Sequence, residues 1–130
     1  MTFSSPMTNI YTRDLPAALT FYAGQLGFEE MFRAPDQDAP DHVELRLDGV
    51  AVAISTAEAA KRVHGIDAVP GSGGFQLVLW TDDVDASYAA LVAAGVPPVT
   101  PPHDTGNNNR NAVVNDPDGN LVELVMKRGS

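Results

Sequence analysis

The sequence predicts an α+β fold: two βαβββ modules whose curved mixed sheets enclose a cleft, with the helices outside. Three observations lead there. "RDLPAALTFYAGQLGF" (Arg13 to Phe28) and "DDVDASYAALVAAGV" (Asp82 to Val96) follow one plan: an Asp, an alanine-rich run with helical spacing, then Gly and an apolar residue. "LDGVAVAIS" (Leu47 to Ser55) and "PDGNLVELV" (Pro117 to Val125) each place an Asp-Gly turn before a strand. The copies are offset by 69 at Asp14 and Asp83, 68 at Gly27 and Gly95, and 70 at Asp48 and Asp118, constant within two residues. A unit of about 60 residues is marginal alone, so the two copies are expected to join in one domain across all 130 residues.

Module one runs from about 7 to 55. Thr8 to Thr12 reads as its first strand. Asp14 then caps a helix by accepting from the free N–H groups of the first turn. Leu15, Leu19, Tyr22 and Leu26 recur at helical spacing, which predicts a helix over Leu15 to Leu26. Gly27 ends it in the left-handed conformation that other residues adopt only at a cost. Strands follow at Phe28 to Arg33, Asp41 to Leu47 and Val50 to Ser55. Residues 56–74, "TAEAAKRVHGIDAVPGSGG", read as a connector made of a short helix and a flexible Pro/Gly/Ser segment.

Module two runs from about 75 to 126. It opens with a strand at Phe75 to Thr81. Asp83 caps a helix over Val84 to Ala94, with Val84, Tyr88, Leu91 and Val92 on its apolar side and Gly95 as its stop. A short strand is expected at Val96 to Thr100, then strands at Asn111 to Asn115 and Leu121 to Met126. "PPHDTGNNNRN" (Pro101 to Asn111) is polar and rich in turn formers, so it is expected to be an exposed loop.

Composition excludes several classes. With 44% hydrophobic and 19% charged residues the chain is globular in type. The absence of cysteine removes disulfides, thiolate metal sites and a cysteine nucleophile, and it fits a reducing compartment. A net charge of -9 repels nucleic acid and anionic membranes and attracts cationic ligands. "MTFSSPMTNIY" has neither a basic region nor an apolar run, and no stretch approaches the ~20 apolar residues of a membrane span. The expectation is a soluble cytoplasmic protein with no nucleic-acid or membrane partner.

The pattern Asp-Leu-x-x-x-Leu-x-Phe-Tyr-x-x-x-Leu-Gly-Phe from Asp14 to Phe28, with Asn-Asp-Pro-Asp-Gly-Asn-x-x-Glu-Leu from Asn115 to Leu124, resembles the vicinal oxygen chelate superfamily. Its members include glyoxalase I, extradiol dioxygenases, fosfomycin-resistance proteins and bleomycin-resistance proteins. The resemblance spans Met7 to Val125. In the metal enzymes of that superfamily one ligand lies on the first strand and one on the last strand of each copy. Carried onto this chain, those positions are Met7, Ala53, Gln76 and Glu123. Ala53 has nothing to donate, and a thioether such as that of Met7 suits soft Cu(I). Glu123 and Gln76 remain, whereas a catalytic site typically has three protein ligands and an open position. The expectation is therefore no metal cofactor; if a divalent metal binds, Gln76 and Glu123 hold it. The Glu123 charge then requires another partner, namely Gln76, a bound cation, or a proton taken up on desolvation.

Strand alternation sends residues two apart to one face. If Gln76 and Glu123 face the cleft, so do Val78, Trp80, Leu121 and Val125, and in module one Met7, Asn9, Tyr11, Ala51, Ala53 and Ser55. The small residues leave room for an organic ligand. Tyr11 and Trp80 are candidates to stack on a ring or sit against a cation, with core packing as the alternative. Phe32 stands at the mouth or in the core, and Asn9 and Gln76 offer amides. His103, Asn109 and Arg110 supply hydrogen bonds from the loop, or are simply solvated there. His42 and His64 fall on no ligand position. No Ser-His-Asp order or phosphate loop stands out, so no catalytic residue is assigned. The reading is a metal-free binding protein that sequesters an antibiotic or another toxic hydrophobic or cationic compound, as a homodimer in keeping with the drug-binding relatives. The alternative is a metal-dependent lyase, isomerase or dioxygenase of the glyoxalase type.

Overall fold

The computed structural model describes residues 1–129. By contact they fall into two compact units, Met1–Pro70 and the residues from Gly71 onward. The first unit comprises β1 (Thr8–Thr12), α1 (Leu15–Leu19), a π-helical segment (Thr20–Gln25), β2 (Glu29–Ala34), β3 (His42–Leu47), β4 (Val50–Thr56) and α2 (Ala57–His64). Its sheet has the order β1-β4-β3-β2, with β1 parallel to β4 and the remaining pairs antiparallel. The second unit comprises β5 (Gln76–Trp80), α3 (Val84–Ala93), β6 (Pro98–Thr105), β7 (Asn109–Asn115) and β8 (Leu121–Lys127). Its order, β5-β8-β7-β6, repeats the same pairing pattern. The α+β class and the duplicated strand plan are thus both present.

Both capping aspartates act as the sequence predicts. Asp14 Oδ1 accepts from the Ala17 N–H at 3.1 Å, and Asp83 Oδ1 accepts from the Ala86 N–H at 3.0 Å. Gly27 and Gly95 follow the helices at φ 88° and 94°.

Two expectations about elements are corrected. The helix expected over Leu15 to Leu26 is α-helical only to Leu19; Thr20–Gln25 is π-helical, and the Leu26 N–H donates to the carbonyl of Phe21, five residues back, at 2.9 Å. The reason lies in the repeat. Asp14 to Gly27 is one residue longer than Asp83 to Gly95, and a π turn absorbs one extra residue without ending the helix. Phe21 and Tyr22 lie within it, both buried and edge to face at 4.9 Å, and Tyr22 meets Phe28 at 6.1 Å.

The second correction concerns Pro101 to Asn111, which is a β-hairpin and not an open loop. β6 continues to Thr105 and β7 begins at Asn109, so only residues 106–108 form the turn. Asn107 and Asn108 take left-handed φ values of 60° and 59°, a conformation asparagine tolerates better than most residues. Pro101 and Pro102 fit because β6 is an edge strand whose register shifts between Thr100 and His103.

One face of each sheet builds a core. In the first unit Ile10, Val43, Leu45, Val52 and Ile54 are at most 2% exposed. In the second, Ala112, Val114, Val122 and Leu124 are buried, as are Val84 and Leu91 of α3. Each large aliphatic side chain so buried contributes roughly 1.5–3 kcal/mol. The motif that opens β8 is structural. Asp116 Oδ1 accepts from the N–H groups of Asp118 (2.9 Å) and Asn120 (2.8 Å), and its Oδ2 accepts from Asn120 Nδ2 at 2.8 Å.

The short helix of the connector, α2, belongs to the first unit and packs on β4. Thr56 Oγ1 caps it by accepting from the Ala59 N–H at 3.1 Å, and Gly65 ends it at φ 68°. Its Ala59 and Ala60 are buried. Arg62 ties it down, donating to Asp41 and, at 2.9 Å, to Glu58. Among the described residues no helix is long and apolar enough to cross a membrane.

Candidate functional site

The face of the first sheet opposite its core is read from the strand register. Asn9, Ala53, Glu44 and Phe32 form one row across β1, β4, β3 and β2; Tyr11, Ser55, His42 and Ala34 form the next. Helix α2 provides Ala59, Ala60 and Val63 to a cavity of about 360 Å³ that these rows help to line. Ala34 and Pro35 complete the apolar part of the wall, while Asn9, Tyr11, His42 and Ser55 supply polar groups. This combination of apolar walls and a few convergent polar groups, at this volume, is the usual constitution of a small-molecule site.

The polar groups are linked. His42 Nε2 lies 3.0 Å from Glu44 Oε2, His42 Nδ1 lies 2.8 Å from Ser55 Oγ, and the Ser55 hydroxyl donates to Asn9 Oδ1 at 2.9 Å. At one end of the cavity Asp41 and Arg62 are bonded to each other, so each offsets the other's charge.

Of the candidates named from sequence, Asn9 and Tyr11 are brought together here. Phe32 stands at the β2 end of the Asn9 row, is 52% exposed and does not line the cavity. Sequence reasoning assigns no role to His42, Glu44 or Ser55, although alternation places Ser55 on this face. His42 matches no family ligand position, and the signal that finds it is pairing register: it stands opposite Ser55 on the neighbouring strand.

The remaining candidates lie in the second unit. Trp80 is 63% exposed and borders a separate cavity of about 330 Å³ with Thr81, Asp82, Met126 and Lys127. Gln76 pairs with Leu121, one row from Glu123, whose partners across the strands are Val78 and Val113. Of the three partners considered for the Glu123 charge, Gln76 makes no hydrogen bond to it among the described residues. His103 is exposed, with Nδ1 2.8 Å from its own neighbour's carbonyl, Pro101 O. Asn109 keeps a buried Oδ1 with no hydrogen-bond partner among the described residues.

Arg110 is committed elsewhere. It donates to both carboxylate oxygens of Asp85 on α3, at 2.7 and 2.8 Å, and to Asp104 at 2.9 Å. The hydrogen bond from Arg110 is the main cause that lowers the Asp85 pKa, and the same bonds raise that of Arg110. The side chain therefore fastens the β6–β7 hairpin to α3 rather than standing free for a ligand.

Two of the four positions that the resemblance assigns to metal ligands, Met7 and Ala53, offer no oxygen or nitrogen donor in their side chains. Ala53 is fully buried and has no donor atom. Glu123 is flanked by two valines across the strands. Among the described residues no group of three or more His, Cys, Asp or Glu side chains comes together, whereas a stable catalytic ion typically has three protein ligands.

Comparison with known proteins gives a consistent picture. The sequence model of the Glyoxalase/Bleomycin resistance protein/Dioxygenase superfamily matches residues 5–124. A superfamily member from Sphaerobacter thermophilus DSM 20745 is 28% identical, with a TM-score of 0.75 over 95% of this chain and 97% of its own. A glyoxalase/bleomycin resistance protein from Streptomyces sp. CB03234 is also 28% identical, with a TM-score of 0.64 over 95% of this chain and 100% of its own. TioX from Micromonospora sp. ML1, at 24% identity and a TM-score of 0.72 over 95% of this chain and 98% of its own, shares the fold. No curated protein matches in sequence.

Proposed function

Because the chain belongs to the glyoxalase/bleomycin resistance protein/dioxygenase superfamily, we propose that it uses the family scaffold as a metal-free binder of small organic molecules, of the kind that sequesters a toxic hydrophobic compound. The observation that carries this reading is the cavity of the first unit, about 360 Å³, with alanine, proline and valine walls and a few fixed polar groups. Binding there lowers the free concentration of a compound by mass action and needs no chemical step. The donor-poor family positions, Met7 and Ala53 above all, favour it over the metal-dependent lyase, isomerase or dioxygenase reading. A cytoplasmic homodimer completes the proposal.

A thermal-shift screen of antibiotic-class compounds and divalent metals tests it. A compound that binds only the folded state at 100 times its Kd adds about 2.7 kcal/mol of stability, a shift of several degrees. The expected result is stabilisation by apolar compounds and none by metals. Stoichiometric metal that survives dialysis, read by elemental analysis, would reverse the ranking.

A further inference from the structure

Helix α2 leaves β4 without a loop between them: Thr56 is the last residue of the strand and the N-cap of the helix. Residues three and four apart share a helix face, so Ala59, Ala60 and Val63 stand together, and all three line the cavity of the first unit. Ala59 and Ala60 are the buried residues of the helix. A surface helix ordinarily puts larger aliphatic side chains on the face it buries. Here that face is alanine, and the space that larger side chains would take up is part of the cavity.

Selection by size needs a wall that does not give way, and α2 is held along its length. At its start Thr56 Oγ1 accepts from the Ala59 N–H. At its end the Gly65 N–H donates to the Lys61 carbonyl at 3.0 Å and the Ile66 N–H to the Ala60 carbonyl at 3.2 Å. Between them Arg62 donates to Asp41, whose own backbone is pinned to two strands: its N–H donates to the Ala34 carbonyl at 2.7 Å, and its carbonyl accepts from the Thr56 N–H at 2.9 Å. The other side of the cavity is sheet, whose ladder holds Tyr11, Ser55 and His42 in one row. The separation of wall and sheet is therefore set before any ligand arrives.

We propose that α2 is the ligand-selecting wall of this site, that Ala59 and Ala60 are its specificity-determining residues, and that the part of the ligand enclosed between wall and sheet is an apolar body of two or three fused rings. The inference rests on the metal-free binding reading of the same cavity and adds the dimensions of the ligand to it. A protein cavity of about 150 Å³ accepts one benzene; about 360 Å³ is room for somewhat more than two such rings. Each carbon atom added at position 59 or 60 takes its volume from that room, because the backbone that carries it is held in place.

Two uncharged fluorescent probes, naphthalene and phenanthrene, test it by titration. Burying one more methylene-sized group is worth about fourfold in affinity, so phenanthrene, the larger, is expected to bind the unaltered protein at least about tenfold more tightly than naphthalene. Ala60→Leu adds three carbon atoms to the wall and should weaken phenanthrene at least about tenfold while changing naphthalene by less than about threefold. Ala59→Leu should act in the same direction. Ala60→Val adds two carbon atoms, and its smaller loss on phenanthrene keeps the test decisive if a leucine variant fails to fold, as read by circular dichroism. Phenanthrene no tighter than naphthalene in the unaltered protein, or wall variants that leave phenanthrene unchanged or weaken both probes equally, overturn the proposal and leave the binding reading intact. Failure of both probes to bind the unaltered protein overturns the binding reading and this inference together.

Discussion

The carbonyl oxygen of Asp118 occupies the space in which residue 71 would carry a side chain: a Cβ placed on Gly71 would stand 2.0 Å from it, and Gly71 has a φ of 75°. The Gly71 N–H donates to Asn120 Oδ1 at 3.2 Å, so the glycine is held against the turn that opens β8. Gly71→Ala meets both the contact and the left-handed backbone, and should destabilise the protein by more than ~1 kcal/mol. Urea unfolding would read this as a lower midpoint at unchanged m.

The same turn depends on Asp116, which is 2% exposed. Asp116→Ala would strand the N–H groups of Asp118 and Asn120 and the Asn120 amide. A loss of ~3 kcal/mol is expected. Asp116→Asn retains one accepting oxygen and should lose less, and denaturant melts of the two variants would rank them.

Arg110 and Asp85 make a pH prediction whose sign follows from the lowered Asp85 pKa. A carboxylate with a depressed folded-state pKa contributes stability in full above its ordinary value, 3.8, and loses that contribution as the pH falls through the folded value. The stability difference between the unaltered protein and Asp85→Asn should therefore narrow below about pH 4. In Arg110→Ala the Asp85 titration should move up toward the ordinary range, which carboxyl NMR would follow directly.

Arg62 links α2 to Asp41 and Glu58 at the rim of the cavity. These pairs are largely exposed, so Arg62→Ala should change global stability by less than ~1 kcal/mol. The wall should nonetheless loosen, with faster amide hydrogen exchange in Ala57–His64 than in β4.

Much of this architecture is legible from short-range chemistry. Asp14 and Asp83 announce helix starts because few residues can satisfy free N–H groups, and Gly27 and Gly95 announce their ends because few residues tolerate left-handed φ. The hairpin at residues 98–115 is harder to read: polar side chains and two prolines signal a loop, and only edge position and a shifted register let β6 continue through them. The candidate site is harder still. Alternation puts Asn9 and Tyr11 on the face that lines the cavity, but His42 and Glu44 join them only when β3 is set beside β4, a long-range pairing that no local pattern specifies. Arg110 is the opposite case, a residue with the right chemistry for a ligand whose hydrogen bonds are already taken by Asp85 and Asp104.

The widened coil at Thr20–Gln25 has an implication for how the two halves of this chain can diverge. A residue gained there is swallowed within one loop of backbone, so Phe28 and every strand residue after it keep their phase. Deleting Gly24 should tighten the winding to ordinary α pitch and leave the downstream pairings where they are. Length, in this part of the polypeptide, is free to drift while shape is not.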